Sequence, residues 1–381
     1  MRTRAAVLHG LNQPWVVENV DIGDPHASEV VVRMAYAGLC HSDDHIRTGD
    51  ITAPAEALAM LGASSMFPMI GGHEGAGVVE AIGPGVTSVE VGDHVSVAFV
   101  PSCGHCHFCV TGRQHLCDLG AATLAGPMMS DGTWRHSLGG KNVNRMAQLG
   151  TFSEQIVVHQ ASLVKVDRDL PLRAVALVSC GVATGFGSAT NRGAVQAGEV
   201  VVVIGCGGVG AGAIQGARIA GAGAVVAVDP VEFKREKAQV LGATHTASST
   251  AEALGLVAEL TRGRMADVAI LTPGVLTGDL LGPALNLVSK DGRLVCTAVA
   301  PASQMDVKVS LFELAMYNKS ILGSLFGSAS PRSSIPRLLD LYRTGQLLLD
   351  EMVTREYTLD EINVGYDDLL QGRNIRGVIA F

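Results

Sequence analysis

The sequence predicts an α/β protein with a β-rich part and a doubly wound parallel sheet, and three observations carry that prediction. In the second half, the apolar runs at residues 199–204, 224–228, 268–271 and 293–299 have strand length, and helical patterns at 211–220, 230–241 and 280–287 separate them. Strand alternating with helix is the signature of a parallel sheet, because parallel neighbours need a crossover between them. A G-x-G-x-x-G run, Gly205 to Gly210, stands where the first of these strands meets the first helix. Before about residue 182 the texture is different, with short alternating runs punctuated by turn residues.

In chain order, residues 29–34, 76–82 and 94–98 are apolar or alternating runs closed by Gly, Pro or Asp, and read as strands. Gly83-Pro84-Gly85 and Val91-Gly92-Asp93 are turn signals. Residues 50–67 are rich in Ala and Met and are expected to form a short helix over a pocket. After Phe326 an amphipathic helix is expected near 334–343, followed by a last strand at 376–381. There is no internal repeat and no low-complexity tract.

Composition narrows the function. The formal charge is −8, so the basic face that releases phosphate counterions on nucleic-acid binding is not expected. Aromatics are 4%, too few for stacking platforms. The first residues develop no long apolar segment before His9-Gly10, and the glycine-broken run at 200–214 falls short of the ~20 residues that span a membrane. The expectation is a soluble, cytoplasmic protein, with no membrane or nucleic-acid partner. In that reducing compartment clustered cysteines are metal ligands sooner than disulfides.

Each part of the glycine run has a physical task. Gly205 permits the tight turn, Gly207 lets the backbone approach a pyrophosphate, and Gly210 lets helix and strand pack closely. With Gly208 and Val209 between them, they open a helix whose free N–H groups favour phosphate. Asp229 ends the next strand, about 20 residues on, and suits the ribose hydroxyls of NAD while repelling the 2′-phosphate of NADP. The competing view, glycines that only pack a helix on a sheet, leaves the strand, helix and acid together unexplained. Cys206 reads as a small buried filler.

Cys103, Cys106, Cys109 and Cys117 lie within 15 residues, a spacing that closes a tetrahedron around zinc with no open position. Such a site contributes folding free energy to a loop with little core. Its spacing differs from the ferredoxin patterns of iron–sulfur proteins. The neighbouring His105 and His107 are then not needed as ligands. Cys40-His41-Ser42-Asp43, Gly72-His73-Glu74-Gly75 and Cys180-Gly181 also carry ligand-type residues, but spacing alone does not unite them. Taken singly, Cys180 reads as a buried apolar cysteine.

The phrases Gly38-Leu39-Cys40-His41-Ser42-Asp43, Gly72-His73-Glu74-Gly75-Ala76-Gly77, the four-cysteine loop, Cys180-Gly181-Val182-Ala183-Thr184-Gly185, the glycine run and Asn374-Ile375-Arg376-Gly377 occur in that order. Over essentially the whole chain this resembles the zinc-dependent medium-chain alcohol dehydrogenases. The resemblance implies a GroES-like β-rich catalytic domain from residues 1–181 and 326–381, and a Rossmann NAD-binding domain from 182–325. It implies two zinc ions per chain, one catalytic and one structural, NAD as hydride acceptor, and a cleft between the domains.

Carried over residue by residue, Cys40, His73 and Cys180 correspond to the catalytic zinc ligands, and Glu74 to a carboxylate that can approach the metal. Asp43 corresponds to the carboxylate that orients a metal-bound imidazole. Ser42 and His45 correspond to a relay that takes the alcohol proton through the cofactor ribose to solvent, while zinc stabilises the alkoxide. Taken alone, His45 is also consistent with a solvated surface histidine. His41, Lys234 and Arg376 correspond to phosphate and ribose contacts, and Thr184 to the residue packed on the nicotinamide. Lys234, within the charged stretch 232–237, also suits a merely solvated helix face. A small alcohol or aldehyde substrate and a homodimer or homotetramer follow from the same resemblance.

Two departures qualify it. The stretch between His45 and His73 is longer than in liver-type enzymes by about a dozen residues, so residues 51–66 leave the pocket shape open. Gly112-Arg113-Gln114-His115-Leu116-Cys117-Asp118 and Gly323-Ser324-Leu325-Phe326-Gly327-Ser328 are similar to the bacterial nicotinoprotein-like subgroup. Those enzymes retain NAD tightly and reoxidise it with an external electron acceptor. Two alternatives stay beside this reading: a glutathione-linked formaldehyde dehydrogenase or formaldehyde dismutase on the same scaffold, and a non-enzymatic zinc or redox-state binding protein.

Overall fold

The computed structural model describes residues 1–60, 62–122 and 124–381. Three sheets organise them. The first half, joined by the end of the chain, forms a seven-stranded sheet in the order Leu163–Val166, His94–Val97, Gly75–Ile82, Glu29–Gly38, Arg376–Ala380, Val353–Tyr357, with Gln155–His159 also pairing Glu29–Gly38. The last strand enters it antiparallel, with Val378 opposite Gly38 and Ala380 opposite Tyr36. That pairing sets Arg376 beside the turn that carries Cys40. A smaller six-stranded sheet, centred on Arg2–Leu8 and Val16–Ile22, packs alongside.

The second half is a six-stranded sheet, every pair parallel, in the order His245–Ala247, Ala224–Val228, Val200–Ile204, Ala266–Leu271, Val288–Cys296, Ser320–Gly323. Numbered along the chain this is 3-2-1-4-5-6, the doubly wound order with its switch point between Val200–Ile204 and Ala266–Leu271. The α/β expectation is met. The strands Val200–Ile204 and Ala224–Val228 are buried along their whole length, as a sheet covered on both faces requires. The helix after the glycine run is Gly208–Ile219, three residues earlier than its apolar pattern alone suggests, because glycines 208 and 210 already belong to its first turn.

Other boundaries move for local reasons. The amphipathic helix begins at Pro331 instead of near 334, since proline is well tolerated in a first turn. The pattern at 280–287 resolves into a 3₁₀ turn, Gly278–Leu280, and the helix Leu281–Asn286. Within 50–67 a helix does form, Ala55–Met60; Leu61 lies outside the described residues. Leu58, Ala63 and Met66 from this stretch join the core that holds Trp15 and Leu149. One apolar core runs continuously from Ala76 and Ala98 through Val182 and Phe186 to Val201, Ile214 and Val225, tying the two halves together. Among the described residues, no helix is long and apolar enough to cross a membrane.

Candidate active site

The switch point opens into a cleft of ≈ 730 Å³ that reaches from the glycine run to Cys40, His73 and Cys180. Cys40 follows the strand Glu29–Gly38 and stands at the start of the helix His41–Thr48; Cys180 stands at the start of the helix Gly181–Gly187. His73 occupies the turn between Met69–Ile70 and Gly75–Ile82. The three side chains are buried, and their ligand atoms lie within 4.8 Å of one another, with His73 Nε2 3.2 Å from Cys180 Sγ. Two thiols and an imidazole in this setting can hold a metal ion and leave a position open.

Asp43 orients the cluster. Its Oδ2 accepts from His73 Nδ1 at 2.9 Å, and its Oδ1 from the Gly72 amide at 2.6 Å, which leaves Nε2 to face the cysteines. Burial pulls the His73 pKa down, but the charges of Asp43 and Cys40 outweigh it and raise it to about 10. The hydrogen bond from Cys180 holds the Cys40 thiol well below its usual range against burial, while the same bond and burial push Cys180 well above. Protons shared so unequally inside a dry site are what a cation would displace.

Glu74 is buried next to this cluster without joining it. Its carboxylate pairs with the Arg376 guanidinium and accepts from the Gly181 amide at 3.1 Å. In this arrangement the Glu74 carboxylate is turned to buried Arg376, and the approach to a metal expected of it is not the geometry seen. Arg376 also lies against Gly208, where an added Cβ would meet its Cδ at 2.3 Å. Its Nε is buried with no hydrogen-bond partner among the described residues, so an anion at the helix N-terminus fits this group.

The rest of the cofactor track is consistent with a dinucleotide. Gly205 has φ +95°, and an added Cβ there would meet Thr272 O at 2.5 Å. Gly207 faces open space: a Cβ added there would meet nothing within 4 Å, as a pyrophosphate seat requires. At Gly210 a Cβ would come 1.9 Å from Gly205 O, so only glycine allows this helix to approach its strand. The two Asp229 oxygens accept from the amides of Cys206, at 2.8 Å, and Val231, at 2.9 Å, and the side chain ends against the cleft. Lys234, Val209, Thr184 and His41 line the same cleft, and burial pulls the His41 pKa down.

Ser42 and His45 also line it, Ser42 Oγ at 3.7 Å from Cys40 Sγ. His45 is buried, not solvated. Its Nε2 donates to the Gly274 carbonyl at 2.8 Å, and its Nδ1 lies 2.9 Å from Asp50 Oδ2. Asp50, whose carboxyl is held below its usual range first by His45, carries no mark in the sequence beyond its place five residues after His45. Phe99 is equally silent there. Its ring meets His73 edge-on at 5.6 Å and Phe326 at 5.4 Å, and with Ile51, Leu124 and Met146 it forms the apolar wall of the cleft. No local pattern marks these residues; only the fold gathers them.

Away from the cleft, Cys103, Cys106, Cys109 and Cys117 converge within 4.8 Å. Sulfurs ~2.3 Å from a tetrahedral zinc lie about 3.8 Å apart; here Cys103 and Cys109 are 3.8 Å apart and Cys106 and Cys117 4.0 Å. A disulfide, at about 2 Å, does not describe them. Backbone amides of Asp118 and Cys109 lower the Cys106 thiol to about 7, and burial pushes Cys117 up to about 12. A further cavity, ≈ 800 Å³, lies at the opposite end of the parallel strands. Arg293 pairs there with Glu199 and Arg264 with Asp267, and none of the cleft or ligand-cluster residues above lines it.

A doubly wound sheet whose switch-point cleft runs from a glycine-opened helix to a buried ligand cluster defines a dehydrogenase class, one that pairs a dinucleotide with a metal. Comparison with known proteins supports this. Residues 26–168 match the alcohol dehydrogenase GroES-like domain, and residues 208–344 the zinc-binding dehydrogenase domain. The chain is 48% identical to the NDMA-dependent alcohol dehydrogenase of Amycolatopsis methanolica, over 100% of this chain and 99% of that protein. It is 46% identical to alcohol dehydrogenase B of Mycobacterium tuberculosis, with the same coverage. The crystal structure of benzyl alcohol dehydrogenase from Acinetobacter calcoaceticus superimposes with a TM-score of 0.89 at 29% identity, covering 100% and 99% of the two chains. The chain belongs to the zinc-dependent medium-chain alcohol dehydrogenase family, and its reaction is the NAD-linked interconversion of alcohols and aldehydes.

Proposed function

We propose that the cleft oxidises small apolar primary alcohols, and reduces the matching aldehydes, with zinc held by Cys40, His73 and Cys180 and NAD held along Gly205–Gly210, Asp229 and Arg376. The observation that supports it most is the meeting of a buried three-ligand cluster and a phosphate-ready helix N-terminus in one cleft. Bound there, zinc supplies a Lewis acid that acidifies the alcohol hydroxyl, and NAD supplies the hydride acceptor.

The chain's own residues do the rest. Asp43 holds the His73 proton on Nδ1, which keeps Nε2 free as a ligand. Ser42 Oγ takes the hydroxyl proton and hands it toward His45, which accepts it on Nε2 once that nitrogen has given up its own proton and left the Gly274 carbonyl it donates to here. Asp50, about one-quarter exposed, connects the His45 Nδ1 proton to solvent. Phe99, Leu124, Met146 and Phe326 exclude water and receive the substrate's apolar part. Asp229 accepts from the ribose hydroxyls; His41, Lys234 and Arg376 meet ribose and phosphates, and Thr184 packs the nicotinamide ring. The four-cysteine loop holds a structural zinc. In this reading residues 1–181 and 326–381 form the catalytic domain and 182–325 the NAD domain.

The likeness to an NDMA-dependent enzyme supports a retained NAD that an external acceptor reoxidises in place. Homo-oligomerisation is supported by an exposed apolar row, Met305 83%, Leu311 73%, Phe312 69% and Met316 64%, beside the edge strand Ser320–Gly323. Free thiols at all eight cysteines suit the cytoplasm. Metal analysis tests the proposal. Purified protein is expected to carry two zinc ions per chain, one for each cluster, and Cys180→Ser one, without turnover. A Cys180→Ser protein that keeps both ions overturns the catalytic assignment.

A further inference from the structure

Behind the apolar wall of the cleft stands a buried arginine without an acidic partner. Arg145 is 1% exposed and precedes Met146 and Ala147, which line the cleft. Among the described residues its guanidinium donates only to carbonyl oxygens: the Gln148 backbone at 3.1 Å, the Gln148 side chain at 2.8 Å and the Val157 backbone at 3.4 Å. Burial lowers its pKa to about 10, so the group stays charged at neutral pH. A buried charge with no counter-charge is costly, and an apolar side chain fills the same volume without that penalty. Packing alone does not account for it.

What the arginine holds is an uncommon piece of backbone. Ala147 has φ +56° and Gln148 φ +62°, so two consecutive residues that carry a Cβ are left-handed. Side chains disfavour that region, and it persists only where the surroundings over-determine it. The Arg145 fork is such a restraint, because it grips Gln148 by both its backbone and its side-chain oxygen. Its own base is fixed too. Arg145 lies on the short strand Asn144–Arg145, where the Asn144 side chain accepts from the Gly126 amide at 2.9 Å and donates to the Ser65 carbonyl at 3.0 Å. Gly126 follows Leu124 closely, and Ser65 lies in the stretch that begins at Ile51, so this strand gathers the segments of the wall. Resting on the reading of that wall as the seat of the alcohol's apolar part, we infer that Arg145 is the positioning residue that sets alcohol size preference: it locks the turn Met146–Gln148 so that Met146 and Ala147 present a fixed surface. Arg145 itself does not line the cleft and acts through the turn. Without the fork the turn relaxes toward right-handed backbone, and a long alcohol loses contacts that a two-carbon alcohol never makes.

Stopped-flow formation of the reduced-nicotinamide band, with zinc-replete protein and saturating NAD, tests this with ethanol and 1-hexanol in turn. NAD in the buffer makes the assay indifferent to whether the cofactor is retained. In the wild type 1-hexanol is expected to half-saturate at a lower concentration than ethanol. Arg145→Met is expected to shrink that preference about tenfold, the weight of one packed methylene, while the ratio of the two limiting rates is preserved. Gln148→Met keeps the arginine, removes one of its acceptors and shrinks the preference about threefold, so an Arg145→Met protein that fails to fold leaves the test in place. Either folded variant with the wild-type preference, even at a lowered thermal midpoint, reduces Arg145 to a structural residue and overturns the inference alone. A wild type that half-saturates equally with both alcohols overturns the reading of the wall and this inference with it.

Discussion

Ser42 and Asp229 show how much a single side chain is asked to do. Ser42 has only its hydroxyl to offer, 3.7 Å from Cys40, so Ser42→Ala removes a proton acceptor and little packing. Turnover is expected to fall by about 10²- to 10⁴-fold with zinc and NAD still bound. Unchanged turnover in steady-state assays removes Ser42 from the proton path. Asp229 bears on selectivity. Asp229→Ala deletes the charge that repels a 2′-phosphate and the acceptor for two backbone amides, so the preference for NAD over NADP is expected to drop at least about tenfold, roughly the value of one charged hydrogen bond. An unchanged ratio of kcat/KM values assigns ribose selection elsewhere. Both residues are legible in the sequence, one at the end of a strand after a glycine run and one inside a motif. Asp50 and Phe99 are not, because their roles arise from a hydrogen bond to buried His45 and a ring contact with His73.

Among the elements, those buried on both sides are the easiest to read. Val200–Ile204 and Ala224–Val228 are unbroken apolar runs because helices cover both faces of their sheet. His245–Ala247 and Ser320–Gly323 leave little trace in the sequence, being three and four residues long and only partly buried. Val16–Ile22 carries Glu18 and Asp21 outside the core, which hides its alternation. The four-cysteine loop is the opposite case, compact in sequence and in space. It has little regular structure, a four-residue helix and short turns, so a metal held by the four cysteines would be its main cross-link. Cys109→Ser is therefore expected to lower the thermal midpoint and to shed one zinc ion, with the catalytic cluster intact. An unaffected midpoint and metal content contradict a structural role.

For the whole molecule, the site exists because distant segments are folded onto one another. His73 and Cys180 are 107 residues apart, and no spacing rule joins them. The fold does so by running one core from the β-rich sheets into the parallel sheet, and by bringing Arg376 back through the strand Arg376–Ala380. Arg376 then touches both parts of the cleft at once, paired with Glu74 behind the ligand cluster and packed against Gly208 in the first turn of the glycine-opened helix. This explains how an order of short motifs scattered along the chain can mark one cleft. It also places the apolar wall, built partly from Ile51 in the long stretch after His45, in the same cleft as the ligand cluster. The central claim is that this cleft passes a hydride from an alcohol to a nicotinamide that the protein itself retains. Near-ultraviolet absorbance of purified, zinc-replete protein, recorded before and after a primary alcohol is added without NAD, tests it most directly. The expected result is a reduced-nicotinamide band of at most about one equivalent per chain. No band, followed by steady NADH formation once NAD is supplied, contradicts retention, and no band under either condition contradicts the chemistry itself.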